Sequence, residues 1–415
     1  MKKVLIIGGG GGGLILANHL DTNEFDVTIV DKSDLHFYQP WFLYIAFKGS
    51  QRKISRPIGE LVRPGVNFVK DEITEINLDE RKAYGSRKVV YNYDYIAIAT
   101  GTSPDPDSIP GLRQIYDEYG DYHSSVYNSQ KLWSHVKNFK GGTIAIGQSS
   151  PTCKCPPSLL EGAFLLEERL RGMGMSVGTS DPVSPSNGND PAKTGTKGKS
   201  RIVFFTPFPR AYSAEPMNRV VEPMVKERGI EVMPFFDVDT IDGQNKTINS
   251  LEGESLKYDL PIIVPPCKGP KIKFIPETVQ DEDRFIKADK NHMKIPGYDD
   301  AFAIGDCNTL PTSKTGVTAH LEAMTVSELI QGKYSEFNGR INCPFDTAYG
   351  KATFVIADYN NPVVPYPPTA TKHFMKMSMA RIYWMTLMGT ADPIFEQFFK
   401  FTTPEKLNKK YASVE

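Results

Sequence analysis

The chain has 415 residues, 40% of them hydrophobic and 23% charged, which is the balance of a globular protein long enough for two or three domains. A net charge of −1 removes any global electrostatic case for nucleic acid binding. No apolar run approaches the roughly 20 residues that span a bilayer, which leaves attachment to a membrane surface open. The cysteines are Cys153, Cys155, Cys267, Cys307 and Cys343, too few and odd in number for a disulfide framework. Only Cys153 and Cys155 are close together, and a lone C-x-C lacks the second pair a metal site needs, so no metal is expected and redox or catalytic thiols stay open. The histidines show no metal-like spacing either.

The first element is Val4-Leu-Ile-Ile, a buried strand that ends in six glycines, Gly8 to Gly13. Gly8, Gly10 and Gly13 satisfy G-x-G-x-x-G, with a helix predicted over Leu14–Leu20. Such glycines allow a tight turn, close approach of a pyrophosphate and close packing of helix on strand. The phosphates would then face the N–H groups and dipole of that helix. A second strand, Asp26–Val30, ends in Asp31, 18 positions after Gly13, where an acid accepts hydrogen bonds from a ribose. Because the first strand begins almost at Met1, no signal peptide is expected.

Asp34 to Tyr44 is dense in aromatics, either a packed connection or a wall beside a flat cofactor ring. Val66–Lys70, the stretch from Glu72 to Tyr84, and Lys88–Tyr91 read as short antiparallel strands. They lead to a buried strand, Tyr93 to Gly101, that ends in Ala-Thr100-Gly101, where small residues allow contact with a nucleotide. A second α/β unit begins at Gly142–Gly147. It continues not into a second glycine motif but into Gln-Ser-Ser-Pro-Thr-Cys153-Lys-Cys155-Pro-Pro. The missing glycines remove the approach that a second pyrophosphate requires, which argues against NAD(P)H as electron donor. Ser158–Leu170 has helical spacing, and 176–200 reads as a mobile surface insertion before a strand at Arg201. Asn218–Arg228 reads as a helix and Leu260–Val264 as a core strand.

The order of βαβ unit, β-meander, A-T-G strand and Asp300-Ala-Phe-Ala-Ile-Gly-Asp306 resembles the two-dinucleotide-binding-domain flavoproteins. The resemblance implies FAD, with Asp306 on its ribityl or pyrophosphate part. Within that group, Cys155-Pro-Pro-Ser-Leu-Leu-Glu161 resembles the C-x-G-P-x-x-E segment of sulfide:quinone oxidoreductases. Val264-Pro-Pro266 resembles their I/V-P-P turn, Lys314-Thr315-Gly316 their K-T-G segment beside the flavin, and Cys343 their second redox cysteine. Departures are Pro157-Ser158 in place of Gly-Pro, and the lack of a third cysteine near His123–Tyr127. The stretch 38–42, Tyr-Gln-Pro-Trp-Phe, holds no cysteine for covalent flavin attachment, so non-covalent FAD is expected.

The resemblance implies an enzyme that oxidises sulfide through a Cys155–Cys343 disulfide and persulfide relay and passes the electrons through FAD to a membrane quinone. A disulfide is the soft electrophile that hydrosulfide attacks by thiol–disulfide exchange. The resemblance gives Cys343 the flavin-proximal role. Lys314 and the N–H groups that open the helix after Gly316 suit negative charge on a reduced flavin. Glu161 is a candidate proton carrier or base, its alternative being a solvent-facing helix residue. Cys267 and Cys307 read as space-filling residues. Cys153 is left open, and His320 is a second candidate proton relay.

Beyond residue 370, Met375, Met379, Ile382, Met385 and Met388 fall three or four apart, a helical stripe, and 394–401 forms a second amphipathic run. Lys372, Lys376, Arg381, Lys400, Lys409 and Lys410 supply positive charge around them. These helices read either as docked on the body of the protein or another subunit, or as lying in a membrane interface. The resemblance favours monotopic attachment, with Phe374, Tyr383 and Trp384 beside the quinone.

The expected fold is α/β, two Rossmann-like dinucleotide-binding domains plus a C-terminal amphipathic helical region. An FAD-binding domain is drawn from 1–115 and 290–335, a second Rossmann-like domain from 116–289, and a C-terminal region from 336–415. The alternatives are a type II NADH:quinone dehydrogenase, which needs the missing glycine motif, and a non-catalytic flavoprotein that binds a partner through its Met-rich C-terminus. The quinone, the sulfur-chain length and the oligomeric state, including a homo-oligomer, stay undetermined.

Overall fold

The structure is a computed structural model that describes residues 1–152, 154–178 and 198–411. Cys153 and most of the segment read as a surface insertion, 179–197, lie outside the described residues.

The first sheet is parallel throughout, in the order Ala301–Ala303, Tyr95–Ile98, β1 (Lys2–Ile7), β2 (Phe25–Asp31), Val66–Lys70. Val4, Ile6, Val27, Ile29 and Ile98 are fully buried, as strands covered on both faces require. Helix α1 (Gly11–His19) starts three residues before the predicted Leu14, within the glycine run itself. Val66–Lys70 was expected to be antiparallel and is instead the parallel edge strand beside β2, with Lys70 opposite Asp31. Its alternating apolar and polar residues suit an edge strand of either sense, so alternation alone could not set direction.

The meander follows as Ile73–Asn77, Lys82–Gly85 and Val90–Asn92. Lys273–Ile275 adds to its edge in parallel, so the chain re-enters this unit ahead of residue 290. The aromatic stretch becomes a short antiparallel pairing of Leu35–Phe37 with Ser55–Pro57, then helix α2 (Phe42–Lys48). Leu43, Ala46 and Phe47 of α2 share a core with Leu159 and Phe164, which locks the first unit to the second.

Helices α3 (Leu112–Tyr119) and α4 (Val126–Asn138) precede the second sheet. That sheet is parallel, built around Gly142–Gln148 between Lys199–Phe205 and Leu260–Val264, with Ile230–Met233 beyond Lys199–Phe205. Helix α5 (Pro156–Gly172) covers it with Leu159, Leu160, Phe164, Leu165 and Leu166, and α6 (Glu215–Glu227) packs with Met217, Val221 and Val225. Helix α7 (Gly316–Ile330) returns to the first unit and packs on α1.

A hairpin, Ile341–Asp346 with Ala352–Ala357, carries Cys343 opposite Val355. Helices α8 (Ala370–Leu387), α9 (Asp392–Phe401) and α10 (Pro404–Tyr411) close the chain. The inward face of α8 is not the methionine stripe. Its buried residues include Lys372, Lys376, Ala380 and Leu387, spaced by fours and a seven. Met375 and Met379 pack on the flank against Phe354, Ile356, Val364 and Leu407, while Met385 is exposed. Two lysines read as surface charge therefore point inward. Lys372 donates to the Pro367 carbonyl, and Lys376 meets a buried carboxylate. Among the described residues no helix is long and apolar enough to cross a membrane.

Candidate active site

One cavity of about 430 Å³ runs from the glycine loop, between the two units, to the hairpin and α8. Its size is that of a small-molecule or cofactor site. At one end Gly9 to Gly12 line it. A Cβ on Gly8 (φ +111°) would stand 2.4 Å from the Ala99 carbonyl oxygen, and one on Gly13 would stand 1.9 Å from the Gly8 carbonyl oxygen. Both positions demand glycine for the close packing of strand, turn and helix. Gly10 is the residue before α1, in extended conformation. Asp31 stands at the end of β2, where its carboxylate accepts the Gly9 N–H at 2.6 Å and the Ser33 N–H at 2.7 Å, and it lines the cavity.

Thr100 and Gly101 (φ +65°) line the middle. Among the described residues the buried Thr100 hydroxyl finds no hydrogen-bond partner. The neighbouring Cys307 thiol is committed to the carbonyls of Ile98 and Ile304, at 3.2 and 3.3 Å. Among the described residues, their own chain neighbours and helix backbone aside, nothing lies within 4 Å of where a Cβ would stand on Gly101 or Gly316, so the wall is open there. An orphaned hydroxyl, an open glycine wall and an acid at the end of β2 fit the ribose and phosphate parts of a dinucleotide. Asp306 also lines the cavity, after Gly305. Glu322 accepts from the Gly305 N–H at 2.6 Å and the Asn308 amide at 2.9 Å, and burial pushes it up to about 8.

Lys314 donates to the Asn308 carbonyl at 2.7 Å and lies 4.2 Å over the Phe285 ring. The Thr315 hydroxyl caps α7 by accepting the Thr318 N–H at 3.3 Å. The first turn of α7 thus opens onto the cavity with its dipole. The Cys155 N–H donates to the Lys314 carbonyl at 2.9 Å, which ties the first thiol to this corner.

The sulfurs of Cys155 and Cys343 lie 3.8 Å apart across 188 positions of sequence, and both line the cavity. Cys155 is the residue before α5 and adopts φ +49°, a left-handed conformation uncommon outside glycine. The two thiols differ in acidity. The contact with Cys343 lowers the Cys155 pKa against the cost of burial, and Cys155 also stands at the N-terminus of a 17-residue helix. The Cys343 thiol is pushed well up, by Cys155 first and burial second. Cys267 and Cys307 are buried, and burial pushes both to about 11.

Glu161, one and a half turns along α5, is buried and lines the cavity, so it is not the solvent-facing residue of the alternative reading. It pairs with Lys376 and accepts the Asp346 N–H at 2.7 Å. Burial raises the Glu161 pKa, Lys376 opposing and Asp346 adding to it. Burial works against the Lys376 ammonium, but Glu161 and Asp346 outweigh it and its pKa is raised.

Several residues here escaped the sequence reading. Asp346 sits three positions after Cys343, and Lys376 on the inward face of a helix whose apolar stripe lies elsewhere. His36 shares one ring nitrogen with the Gly9 carbonyl at 2.9 Å and the other with the Tyr383 hydroxyl at 2.7 Å. His123 is hydrogen-bonded to the Ser158 hydroxyl at 2.5 Å, and burial pushes it down to about 3. Tyr383 lines the cavity, whereas Phe374 is exposed and Trp384 packs against His36 and Arg56. His320 lines the cavity stacked on Phe395, pushed down to about 4 by burial.

Residues 2–146 match the family described as pyridine nucleotide-disulphide oxidoreductase. The mitochondrial sulfide:quinone oxidoreductase of Dictyostelium discoideum is 26% identical over 373 residues, which cover 86% of this chain and 77% of that protein. Its Mus musculus counterpart is 25% identical over 413 residues, 93% of this chain and 86% of that protein. The type II NADH:quinone oxidoreductase of Staphylococcus saprophyticus is 24% identical, over 80% of this chain and 83% of that one. Among solved structures, the sulfide:quinone oxidoreductase of Aquifex aeolicus matches with a TM-score of 0.78 at 19% identity, covering 97% of this chain and 95% of that one. With the mixed α/β fold and the motif order in place, the chain is related along most of its length to the sulfide:quinone oxidoreductases, the family its motifs resemble.

Proposed function

We propose that the chain is an FAD-dependent sulfide:quinone oxidoreductase. The observation that carries this is the meeting of two thiols, 3.8 Å apart, in the same cavity as the glycine loop. The relatives of that name support it. Gly8, Gly10, Gly13, Asp31, Thr100, Gly101, Asp306, Lys314 and Thr315 are the residues that would hold FAD, without a covalent link. FAD, when bound, supplies a two-electron acceptor that can pass electrons on to a quinone.

The protein's own part is thiol chemistry. Cys155 and Cys343 form the disulfide of the resting enzyme, their sulfurs needing to close from 3.8 Å to about 2.05 Å. Hydrosulfide attacks one sulfur, the new S–S bond forms there, the Cys155–Cys343 bond breaks, and the electron pair leaves on the other as thiolate. The sulfur with the lower pKa leaves faster. That is Cys155, at the helix N-terminus, so the persulfide forms on Cys343. The resemblance alone gave the flavin-proximal role to Cys343; the acidities support Cys155 as the thiolate that gives up the electron pair. Lys314 and the opening turn of α7 offset the negative charge that builds beside them.

Attachment to the membrane surface belongs to the same proposal. Phe374, Ile394 and Phe401 are 67%, 56% and 77% exposed on α8 and α9, with Lys400 beside them. An amphipathic face of this kind rests in a bilayer interface, from which a lipophilic quinone reaches the cavity end lined by Tyr383 and Phe395.

The test is anaerobic mixing of the oxidised flavoprotein with sulfide and, separately, with NADH. Bleaching by sulfide alone, reversed by a quinone and lost in Cys343→Ala and Cys155→Ala, is the expected result. Bleaching by NADH moves the chain to the type II dehydrogenase branch. A flavin untouched by either donor leaves the non-catalytic binding protein.

A further inference from the structure

The cysteine end of the cavity contains more buried charge than a simple ion pair. Glu161 on α5, Asp346 on the hairpin and Lys376 on α8 are all nearly inaccessible to solvent. Two carboxylates facing one ammonium leave one negative charge in excess, and in a space closed to water such a pair does not keep both charges cheaply. The environments of the two acids differ. Asp346 receives the Tyr44 hydroxyl at 2.5 Å and the Ala348 N–H at 2.8 Å, with His373 at 3.7 Å on the more exposed side, the donor set that suits an anion. Glu161 receives Lys376 and one backbone N–H, and it alone of the two lines the cavity beside the thiols.

We propose that Asp346 is a positioning residue: bound by Tyr44, Ala348 and His373 behind Glu161, it keeps a proton on the Glu161–Lys376 pair and so makes that pair the acid and base for the thiols. This rests on the reading of Cys155 and Cys343 as the redox pair. When hydrosulfide bonds to the Cys343 sulfur and the Cys155 thiolate leaves, the persulfide S–H proton passes to the pair whenever the pair is in its deprotonated form. The pair returns it when a thiol is next protonated, so no outside oxidant or reductant enters the step. Other titratable groups among the described residues also face Glu161. Lys376 comes from α8, Tyr44 from α2, and Tyr38 from the loop before α2. Tyr212 comes from the loop before α6, Cys343 from the hairpin and Cys155 from the start of α5. None of these besides Asp346 is a second buried carboxylate.

The test uses infrared spectroscopy of the purified flavoprotein, with neither sulfide nor quinone present. Glu322 and Asp121 are also buried acids with raised pKa values, so the readout is the difference between wild type and Glu161→Gln, in which their bands cancel. A protonated-carboxyl band in that difference at neutral pH is expected, with a midpoint that falls by about one pH unit, a tenfold change in acidity, in Asp346→Asn. Asp346→Glu restores it. Tyr44→Phe, which leaves every charge in place, lowers the midpoint by a smaller amount and serves if Asp346→Asn does not fold. No such band at neutral pH, or a midpoint that neither variant moves, overturns the proposal. Because sulfide is absent, this outcome is independent of whether sulfide bleaches the flavin. In an active enzyme the acid limb of flavin reduction shifts with the same midpoint, whereas a merely structural loss would lower the rate equally at every pH.

Discussion

The Tyr383 hydroxyl stands 2.7 Å from the outer ring nitrogen of His36, whose inner nitrogen stands 2.9 Å from the Gly9 carbonyl oxygen. A residue of the last long helix thus reaches the first turn of the chain through His36, 347 positions before it. The Gly9 carbonyl can only accept, so the inner nitrogen donates to it; in the neutral ring the outer nitrogen then accepts from the Tyr383 hydroxyl. Burial holds His36 below its ordinary basicity against the pull of the Gly9 carbonyl.

Tyr383→Phe removes the donor and leaves a buried nitrogen unpaired, which costs about 1–3 kcal/mol. Thermal unfolding of the flavoprotein shows the loss. Flavin release on dilution is expected to quicken as well, because the glycine loop loses its brace. An unchanged release rate with a lowered melting temperature would confine Tyr383 to a packing role.

Lys376→Met removes the ammonium that faces Glu161 and Asp346, at a cost of about 3–5 kcal/mol, whereas Glu161→Gln replaces a proton-bearing carboxyl by a neutral amide and is expected to cost less. The double variant Glu161→Gln/Lys376→Met leaves Asp346 as the remaining carboxylate of the site and is expected to recover part of the Lys376→Met loss. Denaturant titrations of the four proteins form the cycle that measures it. Additive losses in the double variant would show that the two groups are not energetically coupled.

His320 titrates at about 4 when folded and near 6.5 when unfolded. The unfolded chain therefore binds the proton first, and stability is lost as pH falls through this window. Relative to His320→Phe, the wild type is expected to lose about 1.4 kcal/mol per pH unit below pH 6.5, levelling off near 4. Unfolding curves of both proteins across that range provide the difference. Parallel curves would contradict a buried neutral imidazole.

Ile394→Asp and Phe401→Asp each remove an exposed apolar side chain worth about 1.5–3 kcal/mol when transferred out of water. The pair is expected to weaken binding to vesicles of mixed phosphatidylcholine and phosphatidylglycerol by at least tenfold in a sedimentation assay, without altering the fold seen by circular dichroism. Equal sedimentation of variant and wild type would remove α9 from the membrane contact.

The motifs that could be read in the sequence are those whose physics is local. Gly8 to Gly13 after an apolar strand, and Asp31 at the end of the next, form one contiguous βαβ unit, so spacing alone reveals their arrangement. Helix α5 was readable from its apolar spacing, and the resemblance singled out Cys155 and Cys343. What failed was direction and facing. Val66–Lys70 alternates as any edge strand does, and its parallel pairing with β2 depends on a neighbour 35 or more positions earlier. Helix α8 was read by its methionines, yet its buried residues include Lys372, which reaches back to the Pro367 carbonyl, and Lys376, which meets the Glu161 carboxylate of α5.

By itself, then, the sequence determined the dinucleotide-type units and the absence of a second glycine motif and, through the resemblance, named the two thiols proposed as the redox pair. These are properties of short windows, where strand, turn and helix preferences act between near neighbours. Only the tertiary structure decided that Cys155 and Cys343 meet, that this contact lowers the Cys155 pKa, and that Glu161, Asp346 and Lys376 share one buried space. Contacts across 185 and 215 positions arise from packing whole elements together, and burial, which sets the charge of every group in that space, exists only once they are packed.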